Sequence, residues 1–199
     1  MVPSALMTCY LLIGGRSRRM GRSKVELPLA GATFFQRVAG AAGDVFDSVI
    51  AVQRHGGEAA GGNVATIFEP PSADAAPALG VRCALQHAAT RCFILAVDYP
   101  LVTAEVLRFL RERTERSAAS LVVPRWSDRL QMLCAGYDAP SLAPRLDARI
   151  AEGRLDLRGL VTEVETDVIE EDEMRRRFGG QPLMNVNTPD ELQEAARYA

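Results

Sequence analysis

The apolar residues of this chain gather into short unbroken runs separated by amphipathic stretches. Thr8-Cys9-Tyr10-Leu11-Leu12-Ile13 is the first such run and ends in Gly14-Gly15. A continuous apolar run of this length predicts a strand buried on both faces. Residues 47–52, 63–69 and 92–97 predict further strands, as do 121–123, 132–137 and, near the end, 183–186. Between them lie helical patterns at 33–42, with Thr33 as N-cap, at 79–90, from Thr103 to about 117, and at 140–151. Residues 71–77 read as a loop. In 170–177 acidic side chains precede basic ones by four positions, the favourable order for a solvated helix. Asn187-Thr188-Pro189-Asp190-Glu191 predicts a helix start: Thr188 as N-cap, Pro189 at the first helical position, Glu191 closing a capping box. Alternating strands and helices of these lengths predict a three-layer α/β fold around a mostly parallel central sheet. With no repeat, low-complexity tract or linker in view, one domain over 1–199 is expected.

In such a fold, chemistry belongs at the carboxyl ends of the strands. After the first strand comes Gly14-Gly15-Arg16-Ser17-Arg18-Arg19-Met20-Gly21-Arg22-Ser23-Lys24, in which glycines alternate with cations. Glycines let a backbone approach a ligand closely and turn N–H groups inward. Five cations between Arg16 and Lys24 suit the charge of a nucleoside triphosphate; the alternative is a basic surface loop. The segment is neither a P-loop, lacking a closing Gly-Lys-Ser/Thr, nor a G-x-G-x-x-G dinucleotide fingerprint. Asp98, at the end of the 92–97 strand and stiffened by Pro100, is a candidate Mg²⁺ ligand or else a turn-capping aspartate. Asn185 and Asn187 flank Val186 at strand spacing and share one face, where their amides either bind a polar ligand or pair with a turn.

Composition narrows the choice. The chain has 199 residues, is 48% hydrophobic and 24% charged, and carries a net charge of -2. Non-specific nucleic-acid binding is demoted by that balance, so no nucleic acid partner is expected. No apolar run approaches the ~18 residues of a membrane span. Residues 6–13 lack the basic flank of a signal peptide, and a cytoplasmic location without membrane partners is expected. Two histidines, His55 and His87, cannot build zincin or three-histidine metal sites. Four cysteines form no CxxC pair and read as reduced core residues. Of 23 basic side chains only Lys24 is lysine, which points to a place where a compact ammonium is wanted.

Leu12-Ile13-Gly14-Gly15-x-Ser17-x-Arg19-Met20-Gly21-x-x-Lys24 resembles the nucleotide signature of the MobA-like nucleotidyltransferases, whose best-known members are the molybdenum cofactor guanylyltransferases. Asp98-x-Pro100 is similar to that family's metal-binding Asp-x-Pro, and Asn185-Val186-Asn187-Thr188-Pro189 to its C-terminal Asn-Val-Asn-Thr-Pro. The resemblance implies a Rossmann-like nucleotide-diphospho-sugar-transferase fold, nucleotide-binding in its N-terminal part and acceptor-binding in its C-terminal part. It also implies a Mg²⁺-dependent enzyme that moves GMP from GTP to the phosphate of molybdopterin and releases pyrophosphate. By the same resemblance Leu12, Ile13, Gly14, Gly15, Gly21, Glu69 and Gly80 contact nucleotide. Arg19 and Lys24 sit on the phosphates, Asp98 holds Mg²⁺, and Asn185 and Asn187 face the acceptor. Other cofactor-assembly proteins are further implied partners. A phosphate nucleophile, already ionised at pH 7, requires no catalytic histidine. Gly14-Gly15 favours GTP over CTP by leaving room for a purine.

This chain departs from the family at several points. Ile13 stands for a small alanine, Ser23 for the aspartate before the lysine, and Pro70 for a nucleotide-contacting aspartate that Glu69 or Asp74 would replace. Pro77-Ala78-Leu79-Gly80 abbreviates the family's Gly-Pro-Leu-x-Gly turn, and Gln53 lies near a place where the family often has asparagine. The alternatives are a nucleotidyltransferase with CTP or another phosphorylated acceptor, and a catalytically weakened binding protein of the same fold.

Overall fold

The structure, a computed structural model, describes residues 6–14 and 24–199. Strand β1 (Thr8–Leu12) precedes a one-turn 3₁₀ helix, Lys24–Glu26, and a small hairpin of β2 (Pro28–Leu29) and β3 (Ala32–Thr33). Helix α1 (Phe34–Gly43), strands β4 (Ser48–Gln53) and β5 (Ala65–Phe68), helix α2 (Pro77–His87) and strand β6 (Arg91–Ala96) follow. Next come α3 (Ala104–Arg116), β7 (Leu121–Trp126), β8 (Arg129–Leu130), β9 (Cys134–Asp138) and α4 (Ala139–Ala151). A second 3₁₀ helix (Arg158–Thr162), β10 (Thr166–Ile169), α5 (Glu171–Phe178) and α6 (Pro189–Ala195) complete the chain.

The main sheet runs β10-β7-β9-β6-β1-β4-β5, with β8 paired to β7. The β1–β4, β1–β6, β4–β5 and β7–β10 ladders are parallel, and β9 runs against both its neighbours. The sheet is therefore mostly parallel, as expected. Period-two alternation divides its residues between two buried faces. Cys9, Leu11, Phe93 and Leu95 pack with Phe34 and Val38 of α1 and Leu107 and Leu110 of α3. Tyr10, Cys92 and Ile94 pack on the other face with Val81 and Leu85 of α2 and Leu142 and Leu146 of α4.

Three threonine caps fix where helices begin. Thr33 and Thr188 each form a full capping box, with Gln36 and Glu191, and the Thr103 hydroxyl accepts from Val106 N–H. Helix α2 starts two residues ahead of the expected 79, because Pro77 suits the first helical position. β7 runs past Pro124 to Trp126, where a proline reads as a stop; Pro124 still offers its carbonyl to Gln131 N–H at 2.9 Å. The expected strand at 183–186 does not form. That segment runs beside the chain just past β6, anchored by buried Leu183 and Val186 and by the bond from Val186 N–H to Asp98 O, so its apolar residues bury without a ladder.

Three cysteines are reduced core residues, Cys9, Cys92 and Cys134, each pushed up by burial. Cys83 is also free but half-buried. No helix among the described residues is long and apolar enough to cross a membrane.

Candidate active site

From β1 the chain runs outward through α1 to β4 and β5, then returns through α2 to β6 on the other side of β1. α1 packs on one face of the sheet and α2 on the other, and the carboxyl ends of the parallel strands β1, β4, β5 and β6 share one edge, where ligands of such sheets bind. Leu12 pairs with Ala96 in register, Val97 N–H donates to Leu12 O at 3.1 Å, and Ile13 N–H donates to Val52 O at 3.0 Å. Ile13 is only 5% exposed and joins the core, so the bulk that replaces a small residue there is taken up by packing. The space left by Gly14 is already filled. A Cβ there would lie 2.6 Å from Arg54 Cγ and 2.9 Å from Arg54 N. The missing side chain at Gly14 thus lets the backbone at the end of β4 approach the end of β1.

Glu69 lies beyond β5, only 8% exposed, its N–H donating to Gln53 O at 2.8 Å. Burial pushes its carboxyl above the usual carboxylate range, against the pull of Arg54 and Arg82. A Cβ on Gly80 would sit 3.1 Å from Glu69 Oε1 and 3.4 Å from Leu12 Cδ2. Leu12, Glu69 and Gly80 are thus brought together. Asp74, the other candidate for the missing aspartate, is exposed on the loop before α2. The Gln53 amide is spent on its surroundings, donating to Glu58 O at 3.0 Å and accepting from Arg54 N–H at 2.9 Å.

Asp98 follows β6 and is partly exposed. Its backbone carbonyl accepts from Val186 N–H at 2.9 Å, which fastens the 185–187 segment beside it. Asn187 Nδ2 donates to Asn185 Oδ1, so the two amides do share a side, although in an irregular segment. Glu191 holds this segment from below, accepting from Asn187 N–H at 2.6 Å and Thr188 N–H at 2.9 Å. Tyr99 ties the segment to the next wall. Its buried hydroxyl donates to Gln131 Oε1 at 3.1 Å and also bonds the Asn185 side chain. Burial drives that phenol far above its ordinary range, and the Asn185 bond opposes the shift. Gln131 Nε2 in turn donates to the Trp126 and Arg129 carbonyls at 2.8 and 3.0 Å.

Tyr99, Trp126, Gln131, Met132, Asn185 and Asn187 line a cavity of about 810 Å³. Its volume suits a small-molecule ligand. Because β9 is reversed, the segment preceding it reaches the same edge as the end of β7, and these two segments build the wall. Sequence reasoning missed this wall. The β7–β8 turn places Ser127 (φ 50°) and Asp128 (φ 57°) in the left-handed region, as a two-residue hairpin requires. The signal was short: two small polar residues between Trp126 and Arg129. Of the remaining expected site residues, Gly15, Arg19 and Gly21 lie outside the described residues. The Lys24 backbone opens the first 3₁₀ helix.

A family model described as the MobA-like NTP transferase domain matches residues 9–167. A relative from Pelotomaculum thermopropionicum, named a probable molybdenum cofactor guanylyltransferase, is 30% identical over 192 residues, covering 94% of this chain and 91% of that protein. Among solved structures, molybdopterin-guanine dinucleotide biosynthesis protein A from Archaeoglobus fulgidus superposes with a TM-score of 0.78 at 24% identity, covering 96% of this chain and 97% of that one. The 2-C-methyl-D-erythritol 4-phosphate cytidylyltransferase of Thermus thermophilus gives 0.71 at 17% identity, covering 96% and 98%. These likenesses carry the nucleotide-diphospho-sugar-transferase fold. The chain belongs to the family of MobA-like NTP transferase domains and is a nucleotidyltransferase.

Proposed function

We propose that this enzyme transfers GMP from GTP to the phosphate of molybdopterin, releasing pyrophosphate, with Mg²⁺ held by Asp98. The observation that carries the reading is the backbone bond from Val186 N–H to Asp98 O, which fastens the segment bearing Asn185 and Asn187 to the chain just past β6. The names of the relatives favour guanylyl as the group and molybdenum cofactor as the acceptor.

Mg²⁺ takes one or two protein carboxylates and completes its shell with phosphate oxygens and water, so the donor at Asp98 fits it. When bound, the ion supplies charge neutralisation on the phosphates. The chain's own residues supply the rest. On the N-terminal side, the ends of β1 and β5 hold the nucleotide between Leu12, the Ile13–Gly14 backbone, Glu69 and Gly80. Lys24 and Arg19 neutralise the triphosphate and the departing pyrophosphate. On the C-terminal side, Asn185 and Asn187 orient the acceptor. An oxygen of the acceptor phosphate attacks the α-phosphorus, a new P–O bond forms, and the bond to the β-phosphate's bridging oxygen breaks. The attacking phosphate is already ionised at neutral pH, so no side chain need remove a proton. Alignment of the two phosphates is the main task of the protein.

Thermal stability with GTP, CTP, ATP and UTP, each with Mg²⁺, tests the reading. A ligand at 100 times its dissociation constant stabilises the folded state by about 2.7 kcal/mol. GTP alone is expected to raise the transition, and Lys24→Ala to lose the shift. A shift with CTP alone contradicts guanylyl transfer.

A further inference from the structure

The cavity beside Asn185 and Asn187 is lined by two arginines, Arg129 and Arg158, that none of the preceding roles uses. Both are exposed, and no carboxylate among the described residues pairs with either. Their arginine neighbours are otherwise engaged. Arg125 pairs with Glu170 at 2.9 Å, Arg149 with Asp156 at 2.8 Å, Arg154 with Glu152 at 2.6 Å and Arg175 with Glu171 at 2.5 Å. The acids around the cavity are thereby consumed in structure: Asp156 by Arg149, Glu191 by the α6 cap, leaving Glu194 at the rim.

Both arginines also ride on backbone that is locked by polar ties. Arg129 follows the tight β7–β8 turn, where Gln131 holds its carbonyl and Asp128 N–H donates to Glu171 Oε2 at 3.2 Å. Arg175 stacks over Trp126, 4.5 Å from the ring centroid, and completes that support. Arg158 opens the second 3₁₀ helix, and the approach to it is gripped by Arg149, whose side chain is only 3% exposed. Arg149 Nη2 donates to Asp156 O at 2.9 Å and to Asp156 Oδ2 at 2.8 Å, while Gly159 N–H donates to Asp156 Oδ1 at 2.8 Å. The guanidinium fills the place of a Gly159 Cβ, which would lie 2.1 Å from Arg149 Nη2. Two fixed mounts that present unpaired guanidiniums to one cavity are arranged for an anion, since the guanidinium fork matches phosphate and other oxyanions.

We propose that Arg129 and Arg158 form a cationic clamp that selects a negatively charged acceptor. The identity of that acceptor rests on the guanylyltransferase reading. The clamp acts on acceptor binding, so it governs acceptor KM and the salt dependence of kcat/KM, and leaves nucleotide affinity untouched.

Trp126, the only tryptophan, lines the same cavity and reports its occupancy by fluorescence without any turnover. Molybdopterin is titrated without nucleotide into the wild type, Arg129→Gln, Arg158→Gln, the double variant and the two lysine replacements. Each glutamine variant is expected to weaken binding about 10-fold, equivalent to 1.4 kcal/mol, and the double variant about 100-fold if the two act independently. The lysine variants should recover part of the loss, and the nucleotide-induced thermal shift should persist in all as the check on folding. A double variant that binds within twofold of the wild type overturns the clamp, and so does a wild type that binds no molybdopterin. Arginine-dependent binding without transfer from GTP upholds the clamp and overturns the guanylyl reading alone.

Discussion

The two sides of the site are built by different means. On the β1/β4/β5 side, backbone and missing side chains set the shape: Gly14 pressed on Arg54, Gly80 pressed on Glu69 and Leu12. On the cavity side, polar side chains do it, through the Asn187–Asn185–Tyr99–Gln131 chain and the Arg149 grip on Asp156. Parallel strands end together at one edge and deliver backbone to a shared line. The reversed β9 and its hairpin break that regularity, and side chains have to fix what the sheet does not. One side is thus sensitive to an added methyl group, the other to a lost hydrogen bond.

The largest effects belong to the residues proposed for the phosphates and the metal. Lys24→Ala and Asp98→Asn are each expected to lower transfer by about 10³-fold or more, with the unfolding transition unchanged by circular dichroism. Gly14→Ala comes next. Its Cβ meets the Arg54 backbone, so chemical denaturation should register a loss of about 1–3 kcal/mol. Gly40→Ala in α1, with nothing within 4 Å, should instead stabilise by about 0.5–1 kcal/mol. Equal effects at the two glycines would erase the contrast.

On the cavity side, Tyr99→Phe removes the hydroxyl shared by Gln131 and Asn185. An unsatisfied buried polar group costs about 1–3 kcal/mol, so acceptor KM should rise roughly 10-fold while the GTP-induced thermal shift stays as it was. The smallest effect is electrostatic. Burial raises the Glu69 carboxyl pKa, so the folded state holds that proton more firmly than the unfolded chain. The stabilising contribution is complete below the unfolded pKa and is lost as pH rises through the folded one. Glu69→Gln should therefore melt slightly higher than the wild type at pH 7, bind nucleotide less well, and lose its advantage in melting temperature under acid, where Glu69 is protonated.

This contrast also explains what could be read from the residues. Unbroken apolar runs mark β1 and β6 within a residue or two, and Thr33, Thr103 and Thr188 mark their helices, because these are local signals. Leu183 and Val186 give a strand pattern, but they bury without pairing, and pattern alone does not distinguish the two. β10 escapes prediction because Thr166-Asp167-Val168-Ile169 is half polar and lies at a sheet edge, with Asp167 tied to Arg113 of α3 at 2.8 Å. The cavity is hidden for a different reason. Trp126 finds Gln181, and Tyr99 finds Gln131, only after the chain has folded. The 170–177 segment does form a helix with acid–base pairs four apart, Glu171–Arg175 and Glu173–Arg177. Its additional work, bracing the β7–β8 turn through Glu171 and Arg175, has no sequence signature.

The most direct measurement incubates the purified chain with GTP labelled at the α-phosphate, Mg²⁺ and molybdopterin, and follows both label and pyrophosphate. The account predicts one pyrophosphate per label transferred to a pterin dinucleotide, with CTP inert. Label transferred only from CTP, or no pyrophosphate despite bound GTP and bound acceptor, would contradict it.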